Sequence, residues 1–130
     1  MVGFIGRMRD VGICALGVVL AIAVSGTQAG ACGYERCFGA LALGPNGIMA
    51  RSSGQRTAPG AHERANVACG EKCDRIEVFH SGCAAMAQAP MGAQDFGFGV
   101  DRASAEGEAL LLCALQGGEA CRVRAWVCSP

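Results

Sequence analysis

Nine cysteines in 130 residues constrain this chain more than any other feature. Eight of them, Cys32, Cys37, Cys69, Cys73, Cys83, Cys113, Cys121 and Cys128, lie beyond residue 30, and the ninth, Cys14, sits in an apolar run near the start. An even set in a short chain reads as a disulfide framework if the chain leaves the reducing cytosol. The first thirty residues supply that condition. Arg7 and Arg9 precede an almost purely apolar stretch from Val11 to Val24, and Ser25-Gly26-Thr27-Gln28-Ala29 follows. This is the layout of a signal peptide, with cleavage expected after Ala29. The apolar run is shorter than the roughly 20 residues a membrane-spanning helix needs. Two other readings compete with it. The small polar residues after Val24 count against an uncleaved membrane anchor. Lipidation of Cys32 lacks the large aliphatic residue usual upstream, since Ala29-Gly30-Ala31 precedes it, and would leave an odd number of cysteines. The expected location is secreted, periplasmic or elsewhere in the cell envelope, with no stable membrane insertion after cleavage.

The remaining composition explains why staples are needed. Much of the 52 % hydrophobic fraction is Ala and Cys. From Gly30 onward there are 17 Leu, Ile, Val and Phe in 101 residues, below the one-fifth or so that marks a chain able to build its own core. Disorder would be one outcome of that scarcity, but low net charge and eight cysteines favour a covalently held fold. After loss of Arg7, Arg9 and Asp10 the chain keeps nine Lys and Arg against ten Asp and Glu, interleaved along its length. A nucleic-acid partner requires a basic patch, and a membrane-surface helix requires Lys and Arg along one face. Neither is present, so neither partner is expected.

Self-similarity covers nearly all of the expected mature chain. Gly39-Ala40-Leu41-Ala42 is echoed by Ala84-Ala85-Met86-Ala87 at an offset of 45 residues. Ala61 to Cys69 is echoed by Ala105 to Cys113 at an offset of 44. Each half then closes with a second cysteine and a short apolar stretch, Cys73 through Phe79 and Cys121 through Cys128. The expectation is one duplicated domain over residues 30–130, with halves at about 38–83 and 84–128. Within each half the order reads strand, turn, strand, helix, strand. Gly44-Pro45-Asn46-Gly47 and Pro90-Met91-Gly92 mark hairpin turns. Thr57 and Asp101 stand at matching N-cap positions. In Asp95-Phe96-Gly97-Phe98-Gly99-Val100 the apolar residues alternate with glycine, so one strand face is apolar and the other is left open for a close neighbour. Ala61, Ala65 and Cys69 recur every four residues, as do Ala105, Ala109 and Cys113, and either a tight helix-sheet contact or a ligand groove would use such a row, the contact being favoured. The fold class expected is α+β, two strand-strand-helix-strand repeats sharing a mostly antiparallel, disulfide-stapled sheet.

Several of these segments together resemble bacterial exported proteins of the DUF4189 family. That family carries a Gly-Ala-Ile-Ala-like opening, an aromatic-Gly-aromatic-Gly strand, a Thr-Arg-Ala-Glu-Ala-like helix start, a helix-ending Cys and a closing Cys-Arg-Val-x-x-Trp-x-Cys. The matching segments here are Gly39 to Ala42, Phe96 to Gly99, Asp101 to Ala105, Cys113, and Cys121 to Cys128. Asp101 replaces the common Thr, and the first hairpin, Ala50-Arg51-Ser52-Ser53, lacks the aromatics. The resemblance implies a fold and a compartment, and no established activity.

The repeat also suggests a pairing of cysteines. Cys69 and Cys113 end equivalent helices, and Cys73 and Cys121 begin equivalent strands, which proposes Cys69 with Cys73 and Cys113 with Cys121. Cys83 and Cys128 then lie beyond equivalent final strands and would bridge the halves, leaving Cys32 with Cys37. Eight cysteines allow 105 pairings, and symmetry alone selects this one. A zinc site of Cys69, Cys73, His80 and Cys83 is disfavoured, because the spacing is not distinctive, export favours oxidation and the second half has no matching histidine. A catalytic thiol beside His62 or His80 would need a spare cysteine that an even set does not leave. Glu106 and Glu108 are two apart on a helix and face different directions. No phosphate-binding glycine loop, H-E-x-x-H or G-x-S-x-G segment occurs. No catalytic, cofactor-binding or metal-binding residue is therefore assigned, and no cofactor or metal is expected. The function expected is an interaction module for an unidentified protein partner, with the surface near Phe96, Phe98 and Trp126 as the first place to look, although all three suit a core better. The rival is a small envelope or secreted hydrolase that uses His62 with Glu63 or His80 with Glu77.

Overall fold

The computed structural model describes residues 30–130, so the signal-peptide reading of residues 1–29 and the fate of Cys14 lie outside the described residues. The elements run β1 (Phe38–Leu43), β2 (Met49–Gln55), α1 (Ala58–Ala68), β3 (Arg75–His80), β4 (Gly82–Gln88), β5 (Gln94–Gly99), α2 (Arg102–Leu115) and β6 (Arg122–Ser129). The turn from β1 to β2 falls at Gly44 to Gly47, where Asn46 and Gly47 both take the left-handed conformation that asparagine and glycine tolerate best.

The chain has the α+β class and the strand-strand-helix-strand order in each half, but the strands do not share one sheet. They form two antiparallel three-stranded sheets, ordered β2-β1-β3 and β5-β4-β6. The physical reason lies in the central strands, which are apolar on both faces. Leu41 and Leu43 of β1 pack with Phe79, Ala84, Met86, Phe96 and Val127 in a core between the sheets. Ala40 and Ala42 point the other way and meet Ala61, Ala65 and Cys69 of α1 and its cap. In the second half Ala85 and Ala87 meet Ala105, Ala109 and Cys113 of α2. One shared sheet would offer a single face for both helices and leave the larger side chains on the other face in water. Stacking two sheets, with a helix outside each, buries both faces.

The size of the side chains follows the layer they enter. Larger residues face the opposite sheet, and alanines face the helices, where Ala61, Ala65, Ala105 and Ala109 are fully buried. The rows of small residues are helix-sheet contacts. Gly97 and Gly99 of β5 serve the same purpose, since a Cβ at either would run into the main chain of α2 around Ser104 to Ala109. Val100 does not continue the apolar face of Phe96 and Phe98. The strand stops at Gly99 because Asp101 becomes the helix cap, and Val100 is left 85 % exposed in the bend between them.

Both expected caps are made. The Thr57 hydroxyl accepts from Gly60 N at 3.1 Å, and the Asp101 carboxylate accepts from Ser104 N at 2.8 Å. That main-chain bond, and secondarily the Ser104 side chain, holds the Asp101 carboxyl below the usual aspartate value of 3.8. A carboxyl with a lowered folded-state pKa stabilises the fold above its unfolded value, and the contribution is lost as pH falls through the folded one. Asp101→Asn keeps a capping acceptor but cannot titrate, so its melting temperature should fall less steeply than that of the parent below about pH 4. Parallel acid limbs for the two proteins would show that the cap does not titrate in this way.

Candidate functional site

The covalent frame comes first because it sets where the surface can open. The structure pairs Cys32 with Cys37, Cys69 with Cys73, Cys83 with Cys128 and Cys113 with Cys121. The first leads into β1, and the second and fourth close the turns after α1 and α2. Cys83 does not bridge the halves. It belongs to β4, which begins immediately after the left-handed turn at Ser81, so its bond to Cys128 pins β4 to β6 within the second sheet. What joins the two sheets is the apolar core together with a few polar ties at their edges.

On one side β3 lies near β5. There the Arg75 guanidinium is 4.5 Å from the centre of the Phe96 ring, 3.7 Å from Asp95 and bonded to Glu77 at 2.6 Å. These contacts tie β3 to β5 at this edge. On the other side β2 of the first sheet approaches β6 of the second, and this edge remains partly open. Arg51 Nη1 donates to the carbonyl of Trp126 at 3.0 Å, and Gly54 N donates to Ser129 Oγ at 2.9 Å. Each of the two strands carries a bulge here. The register of β2 slips where Gly54 takes a left-handed conformation, and that of β6 slips between the partners of Met86 and Ala87, leaving Arg124 without a partner on β4. Bulges of this kind re-aim side chains and main-chain groups out of the sheet.

Two cavities adjoin the Arg51–Trp126 tie, one on each side of it. One, of about 260 Å³, is bordered by Leu41, Met49, Arg51, Arg124 and Trp126. The other, of about 690 Å³, is bordered by Arg51, Ser53, Gln55, Arg64 and Trp126. Together they make up the cleft along this edge: Arg51 borders both cavities, Arg124 only the smaller and Arg64 only the larger, and among the described residues no carboxylate borders either. Among the described residues none of the three forms an ion pair; the ion pairs are made by Arg75 and Arg102. The asymmetry between the two edges traces to one position. Arg51 stands opposite Leu41 on β1, and Phe96 stands opposite Met86 on β4. Phe96 fills its edge and carries Arg75 on its ring, whereas Arg51 reaches across and leaves space behind it.

The residues singled out from the sequence are placed as follows. Phe96 is buried in the core, Phe98 packs against it, and Trp126 faces α2 with the Arg102 guanidinium 3.9 Å above its ring. Trp126 also borders both cavities, and its carbonyl accepts from Arg51. His62 and Glu63 are consecutive exposed residues on α1. His80 sits at the end of β3, edge-on to Phe38, while Glu77 points to the opposite face of that strand and receives Arg75. The structure brings neither His/Glu pair together. Cys83 lies in the second sheet, away from Cys69 and Cys73. Glu106 accepts from Arg102 at 2.6 Å. Arg51, Arg64 and Arg124 were not legible as a site, because they are widely separated in sequence; the missing aromatics of Ala50 to Ser53 were the one available signal.

Fold and site together define a disulfide-stapled α+β domain of four layers with an electropositive cleft along one edge. The chain belongs to the family described as "Domain of unknown function (DUF4189)", whose model matches residues 38–128. It is also similar to a solved structure described as "NMR structure of Rv1813c from Mycobacterium tuberculosis", with 29 % identity and a TM-score of 0.59 over 72 % of this chain and 75 % of that one. No curated protein matches it.

Proposed function

We propose that this chain is an exported, disulfide-stabilised binding module that engages a protein partner through the cleft between β2 and β6. The observation that carries the reading is the cleft itself, three arginines that have no carboxylate partner among the described residues, beside two strand edges. Surfaces of this kind favour association with an oppositely charged partner. The rest of the molecule is suited to presenting it, because four bridges and two sheet-backed helices hold both cleft walls in place. Export is supported by the bridges, which persist in oxidising compartments. It is also supported by the leader-like composition of the first 29 residues, and among the described residues no helix is long and apolar enough to cross a membrane. The common order of elements in the two halves supports a duplicated origin.

Two measurements test this. The intact, non-reduced mass of the protein recovered outside the cytoplasm should correspond to a chain beginning at Gly30, with four bridges and no thiol open to alkylation. Free thiols or a lipid on Cys32 would remove the stapled-module reading. A photo-crosslinker at Ser53, in the cleft wall, should then capture a partner that the same group at Ala103, on the outer helix, does not. Equal capture at both places would count against the cleft.

A further inference from the structure

Resting on that reading of the cleft, we infer that its occupant is an extended acidic peptide segment, which adds its main chain to the free edge of β6 and directs every second side chain, a carboxylate, toward Arg51, Arg64 and Arg124.

The main-chain part follows from the pairing of β6. Among the described residues that strand pairs with β4 on one side and with no strand on the other. Cys83 and Cys128 sit directly opposite one another with Cα atoms 4.0 Å apart, the narrow spacing of a non-hydrogen-bonded antiparallel pair. In such a pair the N–H and C=O of each residue point away from the partner strand. Those of Cys128 therefore point into the cleft, and so do those of Trp126, two residues earlier in the same register. The Trp126 carbonyl shows this directly, because Arg51 reaches it from β2. A row of outward main-chain donors and acceptors is the surface that strand addition uses.

The side-chain part follows from charge. A strand added at this edge projects alternate side chains to opposite faces. Those directed at β2 and α1 meet Arg51, Arg64, Ser53 and Gln55 in the larger cavity, and Arg124 of β6 lines the smaller one beyond Arg51, with no carboxylate among the described lining residues to repel an acidic chain. Guanidinium groups hold carboxylates through paired N–H donors, which a neutral side chain cannot reciprocate. The larger cavity, at about 690 Å³, is within the range of roughly 300–1,000 Å³ typical of ligand sites. A non-peptide polyanion would satisfy the arginines and leave the β6 edge unused, so the edge is what selects a peptide.

The test uses the oxidised full chain and a fluorescein-labelled peptide of alternating Glu and Val, with Gln-Val and Lys-Val counterparts and heparin as the non-peptide polyanion. The acidic peptide should bind about tenfold more tightly than the Gln-Val peptide, weaken as salt rises, and protect the amides of Trp126 and Cys128 from hydrogen exchange. Arg64→Gln with Arg124→Gln should remove most of that preference, whereas Arg36→Gln, outside the cleft, should not. Arg64 and Arg124 are chosen because Arg51 also ties the sheets together and its loss could alter the fold; circular dichroism checks each variant. Equal binding of the acidic and neutral peptides would overturn the acidic specificity. Displacement by heparin without amide protection at β6 would overturn the peptide. No peptide binding, while the Ser53 crosslinker still captures a protein, would overturn this inference and leave the binding-module reading standing; failure of that crosslinker would remove the reading itself.

Discussion

Gly97→Ala is expected to lower stability by about 3 kcal/mol, the upper end of the range for overpacked cores. The added methyl would run into Ala105 O and into the main-chain atoms of Ala109, with no flexible side chain available to move aside. Relief would require α2 to lift from its sheet, which would loosen the contacts of Ala105, Ala109 and Cys113, all fully buried. Gly107→Ala on the outer face of the same helix provides the comparison. A Cβ there meets nothing within 4 Å, so the change should stabilise the protein by up to about 1 kcal/mol through helix propensity and a less flexible unfolded chain. Denaturant unfolding of the two variants separates close packing from a general intolerance of this helix. Near-neutral behaviour of Gly97→Ala would mean that α2 does not approach β5 as closely as described.

Removing the Cys83–Cys128 bridge by a double substitution to alanine is expected to destabilise the protein by roughly 4 kcal/mol, against about 2 kcal/mol for the equivalent removal of Cys69–Cys73. The difference comes from the unfolded chain. The first bridge spans a sequence separation of 45 residues and the second only 4, so the first removes more loop entropy from the unfolded ensemble. Because Cys83 and Cys128 lie on neighbouring strands, β4 and β6 remain hydrogen-bonded to each other without the bond. The loss should therefore show mainly in the stability of the whole protein rather than as a detached half. Unfolding followed by Trp126 fluorescence, and by exchange of the β6 amides, checks both points. Equal losses for the two pairs would indicate that native-state contacts, not loop length, govern the bridges here.

Neither variant could have been designed from composition, yet much of what they probe was legible in residue order. The turn at Gly44 to Gly47, the caps at Thr57 and Asp101 and the alanine rows of both helices are local features, each with a local cause, and the structure has them where the sequence places them. The four cysteine pairs are those the repeat suggests. Harder to read was the meaning of the Cys83–Cys128 bond. Symmetry assigned Cys83 to the end of the first half, whereas the turn at Ser81 starts a new strand one residue before it and carries it into the second sheet. Val100 was similarly drawn into an alternating pattern that the Asp101 cap interrupts.

The amino-acid sequence by itself determined which segments become strands, helices and turns and which faces are apolar, because strand alternation, helix periodicity, caps and turns are set by neighbours a few residues apart. The tertiary structure alone decided which apolar face meets which. Two sheets stack instead of one forming, because only that arrangement buries both faces of β1 and β4 at once. The cleft is a consequence of the same packing. It forms where the edges of β2 and β6 come together, and it gathers Arg51, Arg64 and Arg124 from two strands and a helix whose spacing along the chain carries no sign of their meeting.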